Sequence, residues 1–380
     1  MNRLIDAFFD YIKRSDKVFW ILSTVTSLFG LTMVYSATKS SSNAAAFGTQ
    51  VVAVLLGYIV AMVISNIDYE HFIRFLPLIA LVSVGLMVAT IFWGVGPGGG
   101  SENTAWLLLF GRITFQPSEL LKFAFFLTFS YHLAYLIQHK QLGHFVHVLL
   151  LLVHLAIPIC MIHFFTKDDG SALVFIFIAI PMLIAAGLKL RYFLGGLLLM
   201  IPVVPLVWRY GFSEFQKDRF LIISNLESDP LNFGYHQIQT KISIGSGQIF
   251  GKGLFNGPRV ASRVIPEAHN DMILSVIGEE LGLIGCILVI LLLFFLLFRV
   301  VTIASASRDR FGSLMCFGFF GMIAFQAVEN IGMCMGILPV IGITLPFFSA
   351  GGSSTVCLYM GVGLIQCVYM HRNEYKIRSR

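Results

Sequence analysis

The sequence predicts an all-α integral membrane protein, a polytopic bundle of about ten transmembrane helices with a large extracytoplasmic loop between the seventh and the eighth. Three observations lead there. Hydrophobic residues fill 57% of the 380 positions and charged residues only 12%, with a mean hydropathy of +0.83, where an ordinary soluble domain carries about 25% charge. Apolar stretches long enough to cross a bilayer recur along the chain. Basic residues gather in alternate connecting segments, as the positive-inside rule requires of a multi-pass protein.

The first apolar run follows a charged segment from Asp6 to Lys17 and reads as a retained helix, not a cleaved signal. Spans are expected at 18–36, 47–67, 75–95, 117–137, 146–165, 170–188, 192–208, 271–300, 312–337 and 352–370. With the N-terminus inside, the inner segments hold fifteen lysines and arginines, from Arg3 to Arg380. The short outer loops hold three, Lys39, Arg112 and Lys167. This places both chain ends in the cytoplasm and the 209–270 loop outside.

That loop carries Arg209, Lys217, Arg219, Lys241, Lys252, Arg259 and Arg263. They are either candidates for holding an anionic ligand or the charges of a solvated loop. The net charge of +6 and pI near 9.0 do not indicate nucleic acid, because the basic residues are scattered and form no stripe. Six cysteines lie within apolar runs without a CxxC pair, which argues against a metal cluster or a disulfide framework.

Four segments carry chemistry. Residues 266–271 set Asp271 at the outer mouth of the eighth span. Asn270 or Asp271 could serve as its N-cap. Asp271 also shares a 4-3-4-3 spacing with Ser275, Gly278, Gly282 and Gly285, a small-residue seam that would face the bundle interior and turn the carboxylate toward a cavity. Glu279 and Glu280 fall off that seam and are expected to have different partners. Residues 116–122 open the fourth span with Pro117 in its first turn. Glu119 and Lys122 are three apart there, placed either to form an ion pair or to meet an anion at the helix start.

The glycine-rich stretch 245–253 fails as a nucleotide loop, since a P-loop would need glycine at Ser246 and Ser or Thr at Gly253. It leaves a tight external turn that presents Lys252. The Pro- and Gly-broken stretch 336–354 belongs where irregular backbone is tolerated in a membrane, lining a cavity.

The QPSExxK segment at 116–122, IGSGxxxGKG at 244–253, PExHxD at 266–271 and LPFxSxGGSS at 345–354, in this order, resemble the SEDS family of RodA, FtsW and SpoVE over nearly the whole chain. The GKG form and the short N-terminus are most similar to RodA, the rod-shape-determining elongation member. The resemblance implies a single membrane domain over 1–380 in the bacterial cytoplasmic membrane. It implies a glycosyltransferase that polymerises lipid II at the outer face in cell elongation and shape maintenance, beside a class B penicillin-binding transpeptidase of the elongation or division machinery. It also implies a required divalent cation, magnesium or manganese, and a catalytic aspartate at Asp271. Lys122, Glu119, Arg219, Lys252, His269 and Ser349 become the candidate substrate or pyrophosphate residues, with Glu119 a supporting or metal-linked carboxylate.

Departures from the family pattern are Ala105 in place of an arginine, Lys167 in place of a proline and Ala350 in place of a tyrosine. Arg112 and Lys167 are the candidates to supply the missing charge. Two other functions fit the residues. One is a flippase or transporter of the same lipid, with Asp271, Glu279 and Glu280 relaying protons. The other is a non-catalytic membrane scaffold for the transpeptidase.

The charge asymmetry makes one prediction. A cysteine placed next to Lys217 should react with an impermeant maleimide in intact cells, and one next to Arg310 only after permeabilisation. The reverse pattern would invert the topology and take Asp271 off the outer face.

Overall fold

The computed structural model describes residues 10–39, 44–96, 104–109, 113–212, 214–224 and 233–373. Asn103, Arg112 and the terminal Arg3, Lys376, Arg378 and Arg380 lie outside them. The chain is an all-α membrane bundle. Its helices are α1 (Lys17–Lys39), α2 (Ala44–Asn66), α3 (Tyr69–Trp93), α4 (Pro117–Gln138), α5 (Phe145–Thr166), α6 (Asp169–Ala186), α7 (Leu190–Leu206), α8 (Glu214–Leu221), α9 (Phe233–Ser246), α10 (Pro258–Ala261), α11 (Ile273–Ser305), α12 (Arg310–Cys334) and α13 (Gly352–Met370). Among the described residues ten helices are long and apolar enough to span a membrane, at the ten expected places.

The outer surface of α3, α5 and α7 is apolar and exposed, as a lipid-facing surface must be, and α7 buries no residue at all. The core lies around α4, α12 and α13. Phe125, Phe126, Phe129, Phe175 and Phe319 fill it, and glycines let backbones close up where helices cross. A Cβ at Gly363 would stand 2.8 Å from the Ala61 Cα, and one at Gly57 would enter the Tyr359 ring.

Two elements differ from expectation. Helix α3 starts at Tyr69 and not at 75, because Asp68 caps it by accepting the Glu70 N–H at 3.0 Å. Buried Arg308 meets Asp68 and Glu70 at 2.8 and 2.9 Å, so the charges that disguised the helix start are paired. Between α3 and α4 the chain also forms a small antiparallel sheet, β1 (Gly94–Val95), β2 (Trp106–Leu109) and β3 (Ile113–Phe115), with Leu107 opposite Phe115. Strands this short carry almost no periodic signal.

The larger correction concerns the eighth span. The small-residue seam is not one face of a continuous helix, because Gly282 breaks α11 with φ 65° and ψ −158°, a backbone region that favours glycine. The hydrogen bonds lost at the break are remade by the 245–253 loop. Lys252 and Gly253 N–H donate to the Glu279 and Glu280 carbonyls, both at 2.9 Å. The Leu283 and Ile284 N–H groups donate to the Gln248 and Ile249 carbonyls at 2.8 and 3.3 Å. Non-helical backbone at membrane depth needs this kind of replacement.

Glu279 and Glu280 complete the clamp with different partners, as expected. Glu279 accepts the Arg259 and Val260 N–H groups at 2.8 and 3.1 Å, and Glu280 accepts Phe255 N–H at 3.0 Å and the Ser36 hydroxyl at 2.5 Å. The break also sets position. A straight helix from Ser305 to Asp271 would run about 50 Å, yet Asp271 meets Asn330, only about 30 Å along α12 from Arg310. The first part of α11 therefore turns across the bundle.

At the opposite end α13 and the start of α1 are clasped. Asp16 N–H donates to Gln366 Oε1 and Gln366 Nε2 donates to the Asp16 carbonyl, both at 2.9 Å, while Arg299 on α11 donates to both Asp16 carboxylate oxygens.

A side chain at Gly282 would hit the loop backbone, since its Cβ would stand 2.5 Å from the Gly251 nitrogen and from the Ile249 oxygen. Gly282→Leu should lower stability by at least the ~1–3 kcal/mol of ordinary overpacking, visible as a lower melting temperature in detergent. Gly85→Ala, with open space around it, should melt like the wild type. Equal melting of the two variants would contradict the clamp.

Candidate active site

The site is assembled from helix starts and irregular chain at one end of the bundle. Asp271 sits in a turn just ahead of α11, whose N-cap is Met272 with no side-chain capping bond. Asn270 instead donates to the Glu267 carboxylate at 2.6 Å. The helix-cap reading of Asn270 and Asp271 is therefore incorrect. The Asp271 carbonyl accepts Asn330 Nδ2 at 2.6 Å, and the same nitrogen donates to the Ile343 carbonyl at 2.7 Å. Ala350 N–H donates to the His269 carbonyl at 2.8 Å. One buried asparagine and one main-chain bond thus fix the Asp271 turn against the 336–351 stretch, which walls the site as expected.

The Asp271 side chain is held but not satisfied. Its Oδ1 is buried without a hydrogen-bond partner. Its Oδ2 lies 3.9 Å from where a Cβ on Gly342 would stand, so this left-handed glycine leaves the carboxylate room. Burial pushes the Asp271 carboxyl up to about 7, Glu267 adds to the rise, and Arg219 on α8 opposes it. A carboxylate ionising there is suited to accept a proton near neutral pH.

Arg219 is half-buried and acts on Asp168, Asp271 and Asp169 together. Asp168 caps α6 by accepting the Ser171 N–H and hydroxyl at 3.2 and 2.7 Å, and accepts Gln116 Nε2 at 3.0 Å. Burial raises its carboxyl, while Lys122 draws it down. Lys122, 2% exposed, forms a 2.6 Å ion pair with Glu119. Asp271, Arg219, Asp168, Lys122 and Glu119 thus lie within electrostatic reach of one another in series around the starts of α4, α6 and α11, with Gln116 bonded to Asp168.

The structure does not gather all the candidates. Exposed Lys252 lies beside the Glu279 carbonyl, about 12 Å along α11 from Asp271. The Ser349 hydroxyl accepts the Leu345 N–H at 2.8 Å and its carbonyl accepts Gln50 Nε2 at 3.2 Å, so it secures a turn, and it lines the same cavity as Glu119. His269 adjoins Asp271 and anchors the wall through its carbonyl, while burial keeps its imidazole below the ordinary range. Ala105 is buried under the sheet, and Lys167 ends α5 in a left-handed conformation.

Sequence reasoning missed Glu329. It lies in α12 next to Asn330, 2% exposed, with neither carboxylate oxygen hydrogen-bonded, and it acts electrostatically on Asp271's surroundings. An acidic residue inside an apolar span is itself a signal. Among the described residues no three His, Cys, Asp or Glu side chains come together as metal ligands. Glu119 is paired with Lys122 and both Asp168 oxygens are occupied. The donor set does not fit a divalent cation held by the protein alone.

Ten spans, a broken helix and a buried acid at one mouth of the bundle define a polytopic membrane protein with a polar site at the membrane boundary. The comparisons identify the lineage: the chain belongs to the FTSW_RODA_SPOVE family, described as cell cycle proteins, which it matches over residues 16–374. It is 34% identical to a probable peptidoglycan glycosyltransferase FtsW of Geobacter metallireducens, over 93% of this chain and 94% of the relative. It is 29% identical to the peptidoglycan glycosyltransferase MrdB of Escherichia coli K12, over 94% and 96%. Among solved structures it resembles a chain of a peptidoglycan synthase complex that coordinates polymerization and crosslinking, with a TM-score of 0.79, 26% identity and coverage of 94% and 98%.

The ion pair makes a prediction about stability. Lys122→Met should strand the Glu119 charge in the interior and cost about 3–5 kcal/mol, whereas adding Glu119→Gln should recover most of it. Thermal melting in detergent measures both. A single variant as stable as the double would show that Lys122 does not neutralise Glu119.

Proposed function

We propose that this chain is a peptidoglycan glycosyltransferase that polymerises lipid II at the outer face of the bacterial cytoplasmic membrane, with both chain ends in the cytoplasm. Its place is in elongation and shape maintenance, beside a class B penicillin-binding transpeptidase. The observation that carries the reading is Asp271: a buried carboxylate with an unmatched Oδ1, held by its main chain and ionising at about 7. The sugar hydroxyl of one lipid-linked chain gives its proton to Asp271 as its oxygen bonds to the anomeric carbon of the other. The bond from that carbon to pyrophosphate breaks, and the pyrophosphate leaves with the electron pair.

Arg219 and Lys122 supply positive charge for the departing anion, each shared with the acidic groups around it. The described residues do not make a site for the divalent cation implied by the family, and a cation held mainly by substrate phosphates would need few protein ligands. Ser349 lines a cavity with Glu119 and stays in the substrate set, whereas exposed Lys252 stands apart from Asp271 along α11. A proton-relaying carrier is disfavoured because Glu279 and Glu280 already receive the amides of the loop that clamps α11.

Purified protein with its transpeptidase partner and labelled lipid II tests this. Asp271→Asn should lose at least about 10²-fold in polymerisation while melting normally, since no helix cap is lost. The wild-type rate should rise as pH passes through about 7, because only the deprotonated carboxylate accepts a proton. An Asp271→Asn protein that polymerises at the wild-type rate would remove the base assignment and leave the carrier or scaffold.

A further inference from the structure

The reaction as set out leaves Glu329 without a task, although it is the most isolated acid in the described core. It is 2% exposed and both its oxygens lack a hydrogen-bond partner, as does Asp271 Oδ1. The residue after Glu329 holds the Asp271 carbonyl, and the Asp271 charge bears on Glu329. Glu329 lies about 8 Å inside the end of α12 at which Asp271 stands.

The other groups facing the pair are few. Glu267 comes from the Asp271 turn, Arg219 from α8 and Cys334 from α12, its thiol 3.7 Å from the Asp271 carbonyl. His269 lies two residues from Asp271, and His236 on α9 feels the charges of both Glu267 and Arg219. The positive charge of Arg219 is divided among three aspartates. Two carboxyls in one low-dielectric region do not both ionise near neutral pH; they take up and release protons as a pair.

We propose that Glu329 is a positioning residue for the transfer reaction, holding the single proton of an Asp271–Glu329 carboxyl pair so that Asp271 stays the anion that deprotonates the acceptor hydroxyl. The inference rests on the reading of Asp271 as the base. Protonated Glu329 offers, through a bridging water, the donor that Oδ1 lacks, and that bond favours the Asp271 anion. During transfer the proton of the acceptor hydroxyl passes to Asp271 and the pair holds two. One leaves to water after pyrophosphate departs, and the resting state returns. Ionisation of both members would set two negative charges beside the site where the anionic leaving group forms, so the rate should fall again at high pH.

The test is the pH–rate profile of lipid II polymerisation by the full chain with its partner, at fixed magnesium. The wild type should show an acid limb and an alkaline limb. Glu329→Leu removes the donor and should move the acid limb up by about one unit, roughly fivefold in rate at pH 7. Glu329→Gln, a neutral donor of the same shape, should restore the acid limb and abolish the alkaline one. If Glu329→Leu does not fold, the missing alkaline limb of Glu329→Gln still decides. Profiles of both variants superimposable on the wild type would overturn the proposal. So would a loss in Glu329→Gln that added magnesium or manganese restores, since that marks the pair as a cation site. An inactive Asp271→Asn protein beside unaltered Glu329 profiles would sink the pair and leave the base reading standing.

Discussion

A membrane helix that abandons its own hydrogen-bond ladder at Gly282 has to find replacements, and the 245–253 loop supplies them strand-like, carbonyl for amide in both directions. Apolar surroundings make each bond close to obligatory, because an unpaired amide or carbonyl there costs several kcal/mol. Glycines at 247, 251, 278 and 282 let the two backbones approach closely enough. Once the break exists, the first part of α11 departs from the axis of the rest of the helix, and Asp271 comes beside Asn330, which also holds Ile343. The site is thus built by backbone chemistry a dozen residues away from the acid itself.

The carboxylates divide by what satisfies them. Glu279 and Glu280 accept main-chain amides, Asp68 accepts Arg308, and Asp16 accepts Arg299; all serve architecture. Asp271 and Glu329 retain buried oxygens that no protein donor reaches. Asp168 lies between the classes, fully hydrogen-bonded yet facing the same cations.

The ten spans were legible because length and hydropathy alone decide whether a segment can cross a bilayer. Asp271 and the Glu119–Lys122 pair were legible from residue type at a helix mouth. The start of α3 was hidden by Asp68 and Glu70, charges neutralised by Arg308 some 240 residues away, which no local pattern reports. The broken helix was hidden for the opposite reason: Gly282 fits a helical small-residue spacing, and only its tertiary partners show that it is used for its left-handed conformation. Lys252 had the right chemistry for anion binding, but its sequence neighbours carry no record of which backbone it would be drawn against. Glu329 was legible and overlooked, since an acid amid apolar helix sequence is already an anomaly.

The clasp of Asp16, Gln366 and Arg299 binds the first and last spans at the end of the bundle remote from Asp271. Asp16 and Gln366 are therefore separated from Asp271 by about 30 Å of hydrocarbon. Among the described helices α11 alone carries a clasp residue at one end and the buried Asp271 carboxylate ahead of the other. Along that helix the two ends are in mechanical series, coupled through a Gly282 joint that the 245–253 loop holds in place.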